Sequence, residues 1–213
     1  MSDNAGYYGT ALTTSASPQN YENLKAEWGP AAMDIRHNWV SSANYDLPFG
    51  RGKSFLTRMP GPVNAVLGGW RMSGVVTLRT GLPLTVIESP DTSNTGSSGP
   101  RPNLVTNPNL PSDQRTPAQW FNTAAFVRQL PNTFGNAGQG VVRMPGLKDL
   151  DFALAKTWKF GESKQLEFRA ESFNLTNHPF FTGVGNTLGQ STFGTITAAQ
   201  NEREMQLGMK FYF

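Results

Sequence analysis

The sequence predicts an all-β fold of antiparallel strands that are long enough to cross a membrane. Charged residues make up only 15% of the 213-residue chain, well below the usual quarter. Five separate segments alternate between apolar and polar residues with the period of a β-strand. Glycine (22) and proline (15) are plentiful and helix formers are scarce, which is typical of strands joined by turns and long loops.

The first predicted strand covers residues 35–47, and the second begins after Gly68-Gly69 and runs over residues 70–79. In each, one parity is mostly apolar and the other mostly polar, so the two sets of side chains lie on opposite faces. Pro83 interrupts the second pattern because it has no N–H to donate to a ladder. Residues 84–87 are interpreted as an extension beyond this break.

A long stretch with little periodicity, residues 88–146, separates the second strand from the third. Connections in compact domains usually have about 4–6 residues, so this length argues against an ordinary soluble fold. Outer-membrane barrels combine long extracellular loops with short periplasmic turns. We therefore expect residues 88–146, including Ser97, to be extracellular. Residues 1–33 are expected to form a loop or partial strand, and residues 34–213 to carry the barrel strands.

The last three predicted strands cover residues 150–158, 166–171 and 205–213, and a short turn at residues 160–164 joins the first two of them. Each strand offers roughly ten alternating residues, the length that a tilted strand needs to cross a bilayer. Lys156 interrupts an apolar face. Near an interface its aliphatic stem can lie along apolar surface while the ammonium group reaches water.

Aromatic residues concentrate at one end of the predicted strands, the end with the short turn. The candidates for this interface are Tyr45, Trp70, Trp158, Phe211 and Phe213. Amphipathic rings favour the boundary between membrane and water, so this set predicts one aromatic girdle. The same rings would also fit the core of a soluble β-sandwich.

The polar parity predicts a set of side chains that face the barrel interior. These lumen-facing candidates are Arg36, Asn38, Arg71, Ser73, Arg79, Glu167, Arg169 and Glu171. The last three share one face of the fourth strand. We interpret them as a ladder of cross-strand ion pairs, with contact to a plug or a solute as the alternative.

The final eight residues carry a polar residue, a glycine, a hydrophobic residue and a terminal aromatic at set spacing. This pattern resembles the C-terminal signal that the barrel-assembly machinery recognises. The residues predicted to form the signal are Gln206, Gly208, Phe211 and Phe213.

Several further stretches, in order along residues 20–213, resemble the C-terminal barrel of TonB-dependent receptors, in particular the Oar-like branch. They are residues 34–39, 45–52, 68–71, 120–122, 125–126, 134–136 and 168–178. The resemblance implies a transporter in the bacterial outer membrane that takes up a solute with energy from TonB. It implies as partners the membrane lipid, the barrel-assembly machinery, a plug domain, TonB and an unidentified solute.

The resemblance also implies a barrel of about 22 strands around the plug. Five predicted strands cannot close, since the smallest membrane barrels have about eight. We therefore expect the chain to be a fragment without the plug, the segment that contacts TonB and the signal peptide, unless the strand count is too low.

The sequence offers little chemistry for catalysis. There are no cysteines, which excludes thiol chemistry and disulfides. His37 and His178 have no partners at metal-ligand spacing, no nucleophile elbow is present, and the basic residues are scattered rather than forming the stripe that nucleic acid requires. We expect no enzyme activity, cofactor, metal or nucleic-acid partner. An outer-membrane structural or adhesion barrel and a soluble β-sandwich binding module remain the alternatives.

Overall fold

The computed structural model describes residues 18–96 and 99–213, together with the backbone of residues 2–3. Ser97 lies outside the described residues. The chain divides into two compact units, which we call the loop unit and the sheet unit. The loop unit comprises Met1–His37, Thr80–Leu147 and Phe180–Gln200, and the sheet unit comprises Asn38–Arg79, Lys148–Pro179 and Asn201–Phe213.

The sheet unit contains one five-stranded sheet. Its strands are β1 (Asn38–Asp46), β2 (Trp70–Arg79), β3 (Leu147–Phe160), β4 (Lys164–Phe173) and β5 (Glu204–Tyr212). The order across the sheet is β5-β4-β3-β2-β1, so every strand lies beside its neighbour in the chain. The all-β antiparallel fold predicted from the alternation is confirmed. The sheet is open, with β1 and β5 at its edges.

The register of the strands separates apolar from polar side chains. Tyr45 lies opposite Met72 between β1 and β2, and Ala170 lies opposite both Leu154 on β3 and Leu207 on β5. On the other face, Glu167 of β4 lies opposite Lys210 of β5. The sheet therefore has one apolar and one mainly polar face, as alternation with period two requires.

The short turn between β3 and β4 is a three-residue connection closed by the pairing of Phe160 with Lys164. Gly161 in this turn has φ +76°, in the left-handed region that glycine adopts without steric cost. The predicted extension at residues 84–87 is wrong. Pro83–Leu84 and Ile87–Glu88 are two separate short strands of the loop unit, each paired with a different segment.

A short helix that the sequence pattern did not reveal, α1 (Gly61–Leu67), lies between β1 and β2. Pro62 stands in its first turn, where the fixed φ of proline is compatible with a helix and its missing N–H is no loss. The backbone N–H of Gly68 donates to the carbonyl of Asn64 at its end. In the described part of the chain, no helix has the length and apolar character needed to span a bilayer.

The loop unit is built from short strand pairs and 3-10 turns. Its strands are Ser2–Asp3 with Trp28–Gly29, Pro83–Leu84 with Val142–Arg143, Ile87–Glu88 with Thr187–Leu188, Asn103–Leu104 with Phe126–Val127, and Phe180–Val184 with Ile196–Gln200. The 3-10 turns are Leu24–Glu27, Ser112–Gln114 and Thr123–Ala125.

These segments enclose an apolar core that includes Val86, Phe121, Phe126, Val142 and Val184. The ring of Phe121 lies edge-on to Phe126 at 5.7 Å and to Phe193 at 5.2 Å between centroids, a geometry that aromatic rings favour. Much of the aperiodic stretch 88–146 is thus folded around a core.

A buried ion pair joins distant parts of the loop unit. The guanidinium of Arg101, only 2% exposed, donates to both carboxylate oxygens of Glu27 at 2.6 and 2.9 Å and to the carbonyl of Ala137 at 2.7 Å. Gln139 also donates to Glu27. A buried charge needs such compensation, because an isolated one is very costly away from water.

Gly135 shows how closely the chain approaches this ion pair. A Cβ atom at this position would lie 1.9 Å from the carbonyl oxygen of Arg101. The Gln19 side chain donates to the carbonyl of Gly135 and accepts from the backbone N–H of Arg101. Only glycine fits here without moving the backbone that carries Arg101.

We predict that Glu27→Gln destabilises the loop unit by about 3–5 kcal/mol, because it leaves the Arg101 charge buried without a counter-charge. Hydrogen exchange of the loop unit in the membrane-embedded protein measures the effect. Glu22→Gln, at an exposed carboxylate in the same region, is the matched control. Equal protection in both variants would contradict the assigned role of the ion pair.

The same pair predicts a dependence on pH. Burial raises the pKa of Glu27, but hydrogen bonds from Arg101 and Gln139 and the Arg101 charge together lower it further, so the pKa lies below its ordinary value. The stabilisation is therefore complete at neutral pH. It is lost as the pH falls below about 4.3, the ordinary Glu value, through the lower folded-state pKa. Protease resistance of the loop unit, measured against pH, tests this.

Candidate functional site

The polar face of β1 and β2 carries four of the predicted lumen residues. Asn38 lies opposite Arg79, and Ser73 lies opposite Asn44. Arg71 lies opposite Asp46, and its guanidinium forms an ion pair with that carboxylate at 2.7 Å. The alternation thus places these residues together on one face, with the Arg71 charge compensated across the strands.

Arg36 is the exception among the predicted lumen residues. β1 begins at Asn38 rather than at residue 35, so Arg36 precedes the strand and belongs to a segment of the loop unit. The backbone N–H of the next residue, His37, donates to the hydroxyl of Thr80. The prediction that Arg36 lies on the strand face is wrong, because the alternation continues past the point where strand pairing ends.

The charged triad on β4 pairs along the strand, with one guanidinium between two carboxylates. The guanidinium of Arg169 lies 2.9 Å from the Glu171 carboxylate and 3.9 Å from that of Glu167. The predicted ion pairs across strands are absent at Arg169 because its partners on both sides, Ala155 and Gly208, carry no charge. Neighbouring strands instead supply uncharged donors to the carboxylates, such as the side-chain amide of Gln206, which donates to Glu171 at 2.5 Å.

The predicted interface aromatics lie towards the same end of the sheet, where the β3–β4 turn is located. Tyr45 is near the end of β1, Trp70 begins β2, and Trp158 lies opposite Leu166, which in turn lies opposite Phe211. All four occupy the apolar parity. Their role as a membrane girdle remains a prediction.

The predicted assembly signal spans both faces of β5. Gln206 and Gly208 lie opposite Glu171 and Arg169 on the polar parity, whereas Phe211 is on the apolar parity. Phe213 follows the last residue of β5 and is 94% exposed. Its ring stacks on Phe211 with centroids 6.1 Å apart. An exposed terminal ring is accessible to a recognising partner.

Lys156 is placed differently from its predicted position. We expected its ammonium to reach water, but the residue is only 2% exposed on the apolar face. The ammonium donates to the carbonyls of Val66 and Gly68 at the end of α1, and it lies 5.2 Å from the ring centres of both Trp70 and Trp158. The expectation was wrong because α1 supplies acceptors that the strand pattern did not show.

The sequence did not predict the structural role of Asn174, whose side chain holds together the backbone that follows β4. It is completely buried in the connection that follows β4. Its side-chain oxygen accepts from the N–H of His178 at 2.9 Å, and its amide donates to the carbonyls of His178 and Asn201. Its φ is +48°, in the left-handed region where Asn is enriched. An asparagine directly after a predicted strand is therefore a weak sequence indication of a turn at this position.

The described residues contain no group of three or more His, Cys, Asp or Glu side chains able to hold a metal ion. The candidate site that the geometry presents is a surface. It has a polar face with ion-paired side chains, an apolar face rimmed by aromatic rings, and a separately folded set of connections.

Comparison with known proteins agrees with this arrangement. A family model described as an outer membrane beta barrel domain matches residues 1–206. No curated protein and no solved structure matches the chain. The match covers nearly the whole sequence, and it explains why one face of the sheet is apolar while lying outside any core. The chain belongs to the outer membrane β-barrel domain family and is located in the bacterial outer membrane.

Proposed function

We propose that this protein is the barrel part of a TonB-dependent outer-membrane receptor that takes up a solute. The observation that carries the proposal is the loop unit. The segments of the loop unit fold around their own core and a buried ion pair. A rigid set of loops can hold solute-binding residues in a fixed geometry, which is how loops on stable scaffolds usually bind ligands.

The residues that resemble the Oar-like branch support the proposal because they organise these connections. Phe121 lies in the core of the loop unit, and the indole N–H of Trp120 donates to the carbonyl of Arg143 at 2.8 Å. Gly135 adjoins Arg101, and the Asn136 side chain accepts from the N–H of Leu104. The stretches that resemble the Oar-like branch thus include residues that build the loop unit. This supports the assignment of the barrel to that class of receptor.

In this proposal the polar face lines the lumen and contacts a plug domain, while TonB supplies the energy through that plug. The lumen wall is hydrated and contains the ion pairs Arg71–Asp46 and Arg169–Glu171, with Glu167 3.9 Å from Arg169. Such a wall can slide against a plug without leaving a buried charge unpaired. The proposed role requires no catalysis and no cofactor.

A second candidate function is adhesion, and one observation favours it. The loop unit exposes large apolar side chains, among them Tyr21, Trp28, Val105 and Leu130. Apolar groups on a loop surface are suited to contact with a partner macromolecule. Membership of the outer-membrane family excludes the third candidate, the soluble β-sandwich.

The two candidates differ in their need for energy. We expect cells expressing the complete gene to accumulate the solute, and a proton ionophore to abolish accumulation while surface binding persists. Solutes from the open classes (siderophore, cobalamin, glycan and peptide) are screened in labelled form. Attachment of cells to a surface or partner, unaffected by the ionophore and without accumulation of any solute, would favour adhesion and contradict transport.

The topology has its own test. An epitope inserted after Gly96, an exposed residue beside Ser97, should be labelled by antibody on intact cells, because the long connections are extracellular in the proposal. The matched insertion after Glu162, in the β3–β4 turn, should be labelled only after permeabilisation. The reverse pattern would invert the proposed orientation.

The C-terminal signal predicts an effect on assembly that is separate from stability. Deleting Phe213 should lower the amount of protein in the outer membrane several-fold, because its exposed ring is available for recognition. The folded sheet should lose little, since the ring contacts mainly Phe211. Met205→Ala, at another exposed position on β5, is the control. Equal outer-membrane levels in both variants would show that Phe213 is not a signal.

A further inference from the structure

The connection between β1 and β2, residues 47–69, which we call the turn segment, combines positive charge with exposed apolar surface. It carries Arg51, Lys53 and Arg58 and contains no acidic residue. Its large exposed apolar side chains are Phe49, Phe55, Leu56, Val63, Val66 and Leu67. A water-exposed turn has no need of so many exposed apolar groups, so their presence requires an explanation.

The helix in this segment is fastened to the apolar face of the sheet. The indole N–H of Trp158 donates to the carbonyl of Ala65 at 2.6 Å, and that of Trp70 donates to the carbonyl of Val66 at 2.8 Å. Lys156 donates to the carbonyls of Val66 and Gly68. Lys156 and Trp158 share the parity of Leu154, and Trp70 lies edge-on to Phe168, which is opposite Lys156. In an outer-membrane barrel this apolar face points to lipid.

These bonds explain how a cation is tolerated on the lipid face. The end of a helix carries unsatisfied carbonyls and a partial negative charge, and a lysine there satisfies both. The faces of Trp70 and Trp158 add cation–π attraction on either side of the ammonium. The contacts hold α1 on the outside of the sheet rather than in the lumen.

The side chains that α1 turns away from these contacts are apolar. Val63 is 41% exposed, Val66 63% and Leu67 48%, and the helix itself carries no charge. An outward-facing apolar helix on the lipid side of a barrel, flanked by cations, has the composition of a segment that lies in the membrane–water interface.

We propose that the turn segment is an interfacial membrane anchor, with α1 lying in the interface and its apolar side chains among phospholipid acyl chains. Arg51 and Arg58 then lie at the level of anionic headgroups. Lys53 lies 4.0 Å from Asp46 of the polar face, so it is not counted among them, and the two arginines give the segment its positive charge towards the membrane. The proposal rests on the outer-membrane family and is independent of the proposed transport.

Phospholipid is favoured over a protein partner by two observations. The helix that carries the exposed apolar side chains is hydrogen-bonded to Trp158 and Trp70 of the apolar face, and the apolar face of an outer-membrane barrel is covered by lipid. The charges within residues 47–69 are all positive, which matches the negative surface of a membrane that contains anionic lipid. Lipid covers α1 and the adjoining apolar face of the sheet together, whereas a soluble protein partner would cover α1 alone.

The absence of native cysteine makes a site-specific test direct. Val66→Cys, labelled with an environment-sensitive fluorophore, is placed in vesicles of phospholipid brominated near the headgroup end of the acyl chain. Leu207→Cys, 77% exposed on the lipid face of β5, is the lipid reference, and Glu162→Cys in the β3–β4 turn is the aqueous reference. We expect quenching at Val66→Cys at least about twofold stronger than at Glu162→Cys and close to that at Leu207→Cys.

A second pair of variants tests the fastening by Lys156. Lys156→Met keeps an apolar chain in the lipid face but removes the donor to the α1 carbonyls, so the mobility of a spin label at Val66→Cys should increase. Lys159→Met, at an exposed neighbour on the opposite parity, should leave it unchanged.

Lipid composition supplies the last comparison. Replacing anionic by zwitterionic phospholipid should weaken quenching at Val66→Cys, while quenching at Leu207→Cys stays constant. Quenching at Val66→Cys equal to that of the aqueous reference, in both lipids, would overturn the proposal and leave α1 as a water-exposed surface for a protein partner.

Discussion

The structure depends first on the pairing of backbone hydrogen bonds in a medium that offers no substitute for them. Inside a membrane, every strand N–H and C=O needs a neighbouring strand. The meander β5-β4-β3-β2-β1 meets that need for its three central strands. β1 and β5 each have one edge without a partner among the described residues, and an edge in lipid has to be paired. In the membrane we therefore expect further strands to continue the sheet from both edges.

The loop unit is stabilised by different means, because it lacks long strand ladders. Its short pairs involve two to five residues on a side, too few for stability on their own. Burial of Phe121, Phe126 and their neighbours supplies the hydrophobic contribution. The Arg101–Glu27 pair fixes which segments meet, since a misplaced segment would leave a charge buried without a partner. Ordered connections of this kind are what the proposed capture of a solute requires.

The sequence predicted the sheet well and the connections poorly, for one physical reason. A strand with one face towards lipid and one polar face alternates apolar and polar residues along its whole length. This alternation predicts β2 at its observed bounds. Arg101 and Glu27 are 74 residues apart, and no local period connects them. The pairing of Arg169 along β4 could not be predicted either, because it depends on Gly208 and Ala155, which only the register identifies.

Lys156 shows how an exception to a pattern carries structural information. On the alternation alone it is a charge in the wrong place, and the simplest remedy is for its ammonium to reach water. In the structure the ammonium instead donates to carbonyls at the end of α1. These carbonyls have no acceptor role within the helix and require a donor from outside it. Each group would be unfavourable on a lipid face without the other. The lone lysine among apolar residues and the Pro60-Gly61-Pro62 sequence before Val63, Val66 and Leu67 are therefore two parts of one signal, a helix fastened to the outer surface of the sheet.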